Sequence, residues 1–257
     1  MVEDEFDLGV ERIKLIFAGE ANSGKSHTAA LFVKEFGGLH IDFGKPVQVS
    51  NFTTTPKYYD SPKGHAITPC KHVGLTKDQY TFVNKWEIFQ RILDNIDTYA
   101  DSIKRIDDHI PWIIIDDTDG IRGLCAMQCS IDSSHKMPNQ NDYKEAAGKM
   151  RVILGTLEKR FNVIMCTQMT DKYEKDVNTG IRIPAYYPGN ARHIANATLE
   201  LGYVVKDDIT YPCHKVITTK DIWPANRIKI DKIVYKDPFV ISPTEMLTQL
   251  QFDKAQW

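Results

Sequence analysis

The stretch Gly19-Glu-Ala-Asn-Ser-Gly-Lys-Ser26 decides the fold, because it joins two apolar segments of different period. Leu15-Ile-Phe-Ala18 before it has the composition of a buried strand, and residues 27–36 after it have the apolar spacing of a helix. The two glycines of the turn allow backbone angles that are closed to other residues, so successive N–H groups can turn inward around an anion. The positive end of the helix points at the same place. The junction is therefore predicted to bind a phosphate chain.

The spacing Gly-x4-Gly-Lys-Ser is the P-loop, or Walker A, pattern of nucleotide-binding proteins. In this pattern Lys25 supplies a mobile charge for the outer phosphates, and Ser26 supplies a hydroxyl for Mg²⁺. A glycine-rich turn that carries Lys and Ser by chance is the alternative, but the strand and helix on either side disfavour it. We expect the loop and the residue after it to bind the nucleotide: Gly19, Glu20, Ala21, Asn22, Ser23, Gly24, Lys25, Ser26 and His27.

The second chemical landmark is Pro111-Trp-Ile-Ile-Ile-Asp-Asp117. Three consecutive β-branched residues predict a strand that is buried on both faces, and two carboxylates follow at its carboxyl end. Open α/β sheets bind their ligands at that end of the strands. We interpret this segment as the Walker B strand, in which Asp116 would hold Mg²⁺ together with Ser26.

Length and composition favour one sizeable α/β core, and we expect residues 1–257 to form a single domain. The net charge of −2 provides no general attraction to nucleic acid or to an anionic membrane, so contact with DNA would need a local patch. The acidic start of the chain lacks the regions of a signal peptide, and no apolar stretch approaches the roughly 20 residues that span a bilayer. Five cysteines, an odd number, suit a reducing compartment. We therefore expect a cytoplasmic protein.

Alternating strand and helix signals predict a mostly parallel sheet that is covered by helices. A second strand, over residues 39–43, ends near Asp42. Residues 45–76 have no sustained period and are predicted as a loop or hairpin insertion. Steps of three and four between apolar residues predict one helix over 82–103 and another over 143–161. Between them, residues 119–142 are expected to form a short helix that runs into a polar loop.

A buried strand over residues 162–166 is predicted beside the Walker B strand and is followed by Thr167 and Gln168. Gln168 is our candidate for a sensor of the terminal phosphate, and a simple strand-end cap is an equal alternative. The charged and aromatic segment 169–192 is expected to be a mobile loop that orders on a partner or on single-stranded nucleic acid, with a plain surface loop as the alternative.

The rest of the chain predicts an antiparallel end to the sheet. Three strands are expected, over residues 197–205, 215–219 and 227–235. A terminal helix over 243–250 would be capped by Ser242.

With these motifs in this order and a strand-rich tail, residues 12–235 resemble RecA-like P-loop ATPases. Within that group the chain resembles the compact ATPases of phages and archaeal viruses, some of which serve single-strand annealing or recombination systems. The resemblance implies a three-layer α/β fold with a mostly parallel central sheet and antiparallel C-terminal strands. It also implies ATP and Mg²⁺ as ligands, ATP hydrolysis, and action on or with single-stranded DNA. The alternatives are a small-molecule kinase and a nucleotide-dependent assembly protein with little turnover.

The resemblance leaves the general base open. RecA-like enzymes take a glutamate near the end of the strand after the P-loop helix, where this chain has Asp42, and Asp117 is the other candidate. Members of the group often form oligomers whose sites are completed by a basic residue from the neighbouring subunit. Lys220 is the candidate for that residue here, with Arg227 as a helper.

The His and Cys residues outside these motifs match no standard zinc module, so we predict no structural metal. The residues considered are His65, Cys70, His72, Cys213 and His214.

Overall fold

The computed structural model describes residues 12–21, 23–43, 64–67, 82–104, 109–174, 176–185, 195–206, 209–219, 234–235 and 242–256. In chain order its elements are β1 Lys14–Ala18, α1 Lys25–Phe36, β2 Gly38–Asp42, β3 Gly64–Ile67, α2 Phe82–Asp94, α3 Ile96–Lys104, β4 Trp112–Asp116, α4 Thr118–Asp132, α5 Gln140–Leu157, β5 Asn162–Thr167, β6 Met169–Glu174, β7 Val177–Pro184, β8 Ala197–Lys206, β9 Ile209–Thr219, β10 Val234–Tyr235 and α6 Pro243–Gln249, and a 3-10 turn follows at Lys254–Gln256.

The main sheet has the strand order β10-β9-β8-β1-β5-β4-β2-β3. From β8 to β3 every neighbouring pair is parallel, whereas β9 pairs antiparallel with β8 and β10 antiparallel with β9. The predicted mostly parallel sheet with an antiparallel end is confirmed, and β5 lies beside the Walker B strand β4 as expected. The carboxyl ends of β1, β2, β4 and β5 therefore meet at one edge of the sheet, which is where ligands bind in such folds.

Helices cover both faces of the sheet and give the three-layer α/β fold that was predicted. On one face α1 and α6 pack over β1 and β4, where Phe32 meets Trp112 with a distance of 4.7 Å between ring centroids. On the other face the sheet packs against buried side chains of α2 to α5, among them Phe89, Cys125 and Met150. Because helices cover both faces of the sheet, the central strands bury apolar side chains on both sides.

Two helix predictions differ from the structure. The predicted helix over 82–103 is interrupted at Asn95, whose side-chain amide donates to the carbonyl of Arg91 at 2.7 Å, although its apolar stripe packs on the sheet as expected. The short helix expected after residue 119 is instead the 15-residue helix α4. Its apolar spacing outweighs the low helix propensity of Gly120 and Gly123, since Ile121 and Cys125 are both buried.

The described part of the segment after β5 is a β-hairpin, which corrects the prediction of a loop. Strands β6 and β7 pair antiparallel from Met169↔Pro184 to Glu174↔Val177. Residues 186–192 of the predicted loop lie outside the described residues.

The insertion and the tail are described in part. Within 45–76, residues 64–67 form β3, which pairs parallel with β2, so this part is neither a loop nor a hairpin. The strand predicted over 227–235 is described at Val234–Tyr235 alone. The terminal helix is present, but Ser242 makes no side-chain cap hydrogen bond. Among the described residues, no helix combines the length and apolarity that crossing a membrane requires.

Candidate functional site

The Walker A loop connects β1 to α1, and its two glycines are needed for different reasons. Gly24 is the N-cap of α1 at φ 90°, a left-handed conformation that favours glycine. Gly19 does not have a positive φ, so the conformational reason given for it from the sequence is wrong. Glycine is required at position 19 for a steric reason, because a Cβ there would lie 2.5 Å from the carbonyl oxygen of Leu201 on β8 and 2.3 Å from Ser23 Oγ.

Lys25 is buried and lies across its own loop. Its Nζ donates to the carbonyls of Gly19 at 2.9 Å and Glu20 at 2.8 Å. Burial lowers the pKa of Lys25, and the charges of Asp116 and Asp117 act in the opposite direction. The Cys166 thiol nearby adds no negative charge at neutral pH, because burial raises its pKa well above the ordinary value. The Lys25 ammonium group thus lies beside two carbonyls of the loop and near the carboxylates of Asp116 and Asp117.

Asp116 meets the Walker A helix at Ser26, as the two motifs predict. The Ser26 hydroxyl lies close enough to Asp116 to lower the pKa of its side chain, and His40 Nε2 lies 3.1 Å from Asp116 Oδ2. Burial raises the pKa of Asp116, but the hydrogen bonds from His40 and Ser26 and the charge of Lys25 outweigh it and hold the pKa below its ordinary value. Asp116 is thus a carboxylate at neutral pH.

The Ser26–Asp116 pair fits Mg²⁺. This ion takes oxygen ligands and is usually bound through one or two carboxylates together with substrate phosphates and water. A hydroxyl and a neighbouring ionised carboxylate, beside a loop suited to phosphate, supply such a donor set. Within the described part of the chain, no group of three or more His, Cys, Asp or Glu side chains could hold a metal. Of the residues considered above for zinc, Cys70 and His72 lie outside the described residues, so the absence of a structural metal stays a prediction.

The two candidate bases differ in their surroundings. Asp42 is buried at the end of β2 and is the register partner of Asp116 on β4, so both carboxylates leave the sheet at the same edge. Asp117 caps α4, where its side chain accepts from the Gly120 amide at 2.7 Å. Burial raises the pKa of Asp117. Asp117 therefore has a structural task already, whereas Asp42 faces the pair that would hold the metal.

Gln168 follows β5 at the same edge of the sheet. Its carbonyl accepts from the Ala185 amide at 2.9 Å, and Thr167 Oγ1 donates to the Ala185 carbonyl at 2.5 Å. These hydrogen bonds connect the base of the β6–β7 hairpin to the end of β5, which pairs with β1, the strand before the P-loop. The role of Gln168 as a phosphate sensor stays a prediction.

Two residues of the site were missed from the sequence. His40 lies two positions before Asp42 and on the same face of β2, so strand alternation was a usable signal for it. Arg182 on β7 contacts the P-loop through Glu20, with 3.1 Å between Nη2 and Oε1. Nothing in the sequence pairs these two residues, which are 162 positions apart.

The remaining predicted site residues divide into two groups. Ala21 and Ser23 lie in the loop beside Glu20, and His27 lies in the first turn of α1, where burial lowers its pKa. Asn22, Lys220 and Arg227 lie outside the described residues, so their predicted roles stay predictions.

No family model matches this chain. No curated protein matches it either. Among solved structures it is similar to a KaiC-like protein from the hyperthermophilic archaeon Pyrococcus horikoshii OT3, with 13% sequence identity and a TM-score of 0.46 over 87% of this chain and 89% of that one. The function of the chain is therefore inferred from its own fold and site.

Proposed function

We propose that this chain is an ATPase that binds ATP with Mg²⁺ and hydrolyses it at the carboxyl edge of the sheet. The observation that supports the proposal is that Asp116 of Walker B lies beside Ser26 of Walker A, 90 positions away in the sequence, and near enough for both Ser26 and Lys25 to lower its pKa. A chance glycine-rich turn would not require an ionised, buried aspartate at this point.

Each element of the site has a task in this reaction. The amides of the loop bind the phosphate chain, and Lys25 neutralises its outer charges. Ser26 and Asp116 would hold Mg²⁺, which when bound offsets the charge that develops on the transferred phosphoryl group. His40 fixes the Asp116 carboxylate through Oδ2. Asp42 is our candidate for the group that orients the attacking water, because it faces Asp116 from the neighbouring strand.

Phosphate release from ATP tests this proposal. We expect Mg²⁺-dependent release by the wild type and loss of both binding and release in Lys25→Ala. Asp42→Asn should retain nucleotide binding and lose release. A wild type that binds no adenine nucleotide would contradict the proposal.

The Asp42 side chain also supports a second candidate function. It is one methylene shorter than the glutamate that RecA-like enzymes use, so its carboxylate reaches less far towards the phosphate. A protein that binds ATP tightly and releases negligible phosphate would be a nucleotide-dependent assembly protein, and the same assay separates the two functions.

We also propose that the ATPase acts on single-stranded DNA through the β6–β7 hairpin. The hairpin is hydrogen-bonded to the carboxyl end of β5, at the proposed nucleotide site, and its side chains Tyr173, Val177 and Ile181 are exposed. Exposed aromatic side chains next to basic ones are the usual platform for unpaired bases. Single-stranded DNA should then stimulate phosphate release in a salt-dependent manner, and Tyr173→Ala should reduce this effect. Absence of stimulation and of binding at low salt would contradict the DNA role alone.

Completion of the site by a second copy is the last part of the proposal. If Lys220 reaches a neighbouring subunit's nucleotide, specific activity should rise with protein concentration, and Lys220→Ala should remove that rise. A specific activity independent of concentration would contradict it.

A further inference from the structure

We propose that Arg182 is a phosphate-binding residue that exchanges Glu20 for the terminal phosphate of a bound nucleoside triphosphate, so that the β6–β7 hairpin reports which nucleotide is present. The inference rests on the nucleotide site proposed above. It concerns a residue outside both Walker motifs.

The guanidinium of Arg182 already lies at the P-loop. Nη2 is 3.1 Å from Glu20 Oε1 and 3.2 Å from Oε2, so both oxygens of the carboxylate are within reach. Glu20 follows Gly19 directly, and its own carbonyl accepts from Lys25. The second residue of the loop therefore holds two cations, one on its backbone and one on its side chain. A phosphate chain wrapped by this loop would therefore lie near both cations.

The hairpin presents this arginine and limits its movement. Within the hairpin, Nη1 lies 3.1 Å from Asp171 Oδ1 and Nη2 donates to the Met169 carbonyl at 2.7 Å. The hairpin base is in turn bonded to the end of β5 through Thr167 and Ala185. Because these contacts restrain the Arg182 side chain, a change of its partner should also shift the hairpin.

The Glu20 pair is weak enough to be exchanged. The side chains of Arg182 and Glu20 are 47% and 63% exposed, and an ion pair at such a surface contributes little net free energy. A triphosphate carries several charges, and a guanidinium binds phosphate oxygens through two parallel hydrogen bonds. Competition between one exposed carboxylate and a phosphate therefore favours the phosphate. Because ADP lacks the terminal group, it should leave Arg182 on Glu20.

Calorimetric titration with AMP-PNP and with ADP tests the exchange. Arg182→Ala should weaken AMP-PNP binding about tenfold, the loss of one charge-assisted contact, and leave ADP binding within about twofold. Glu20→Gln should strengthen AMP-PNP binding a few-fold, since it removes the competing carboxylate. Arg160→Ala is the matched control: Arg160 also holds two carboxylates, those of Asp97 and Asp101, but it precedes β5 at the opposite edge of the sheet, and its variant should bind both nucleotides as the wild type does.

Hydrogen exchange supplies a readout that affinity alone does not. In the wild type, AMP-PNP should change the exchange of amides in residues 169–174 and 177–184 relative to ADP, and Arg182→Ala should abolish that difference. Equal affinities of Arg182→Ala and wild type for AMP-PNP would overturn the inference, as would equal losses for AMP-PNP and ADP. Failure of the nucleotide site itself has a different signature, because Lys25→Ala would then bind both nucleotides as well as the wild type does.

Discussion

Replacing Gly19 by alanine should damage the nucleotide site through the backbone of a neighbouring strand. The added Cβ would lie 2.5 Å from the Leu201 carbonyl oxygen, where ordinary contact begins at 3.4 Å. Ser23 Oγ, at 2.3 Å, can rotate away, but the Leu201 carbonyl belongs to β8 and cannot. The loop must therefore move by about 0.9 Å to restore normal van der Waals contact.

A displacement of this size decides whether the loop amides still reach a phosphate. Hydrogen bonds of this kind have lengths of about 2.7–3.2 Å, so an added 0.9 Å breaks those it affects. Each bond to a charged group contributes about 1.5–3 kcal/mol, and losing one therefore weakens binding roughly 10- to 150-fold. The overpacking itself should lower the free energy of unfolding by about 1–3 kcal/mol.

Fluorescence titration with a labelled ATP and urea unfolding measure the two effects. Gly202→Ala is the control, because it adds the same methyl group one residue beyond Leu201 on β8, where no atom lies within 4 Å. It should bind ATP normally and be unchanged in stability or slightly more stable. The double variant Gly19→Ala/Ser23→Ala should bind as weakly as Gly19→Ala. Wild-type affinity in Gly19→Ala, or its restoration by Ser23→Ala, would refute the contact with Leu201 as the cause.

Three further predictions concern the site and its support. The pKa of Asp116 is lowered in the folded protein, so its contribution to stability is present above the unfolded pKa and lost as the pH falls through the folded one; Asp116→Asn should flatten this part of a urea-unfolding profile against pH. Burial raises the pKa of Cys125 to about 12, so mass spectrometry should find that thiol unlabelled by a thiol reagent until urea unfolds the protein. Gly38→Ala would place Cβ 1.9 Å from the Trp112 carbonyl oxygen at φ +154° and should cost at least about 3 kcal/mol, whereas Gly148→Ala, in open space on α5, should stabilise by roughly 0.5–1 kcal/mol in the same assay.

The parts of the site that were predictable are those encoded by neighbours in sequence. Walker A and Walker B each place their chemistry within one turn or at one strand end, and the contact between Ser26 and Asp116 follows once both motifs belong to one sheet. The contact of Arg182 with Glu20 depends on how a hairpin folds back over the loop, which no local pattern specifies. Likewise, β6 and β7 carry mainly polar side chains because neither face is fully buried, so their composition was typical of a loop.

Helix α4 shows a second limit of local patterns. The sequence predicted only a short helix after residue 119, and Gly120 and Gly123 have low helix propensity. Burial against the sheet, a tertiary effect, compensates for that cost, and the Asp117 cap adds a local contribution.

The position of Lys25 has a kinetic consequence. Its ammonium group is held by two carbonyls of the loop that would receive the phosphates, so an arriving nucleotide must first displace it before the amides can close. Capture should accordingly be a two-step process, in which the observed association rate levels off at high nucleotide concentration at the rate of loop release. An observed rate that rises linearly with nucleotide concentration, without a plateau, would mean that release of Lys25 from the loop carbonyls does not limit binding.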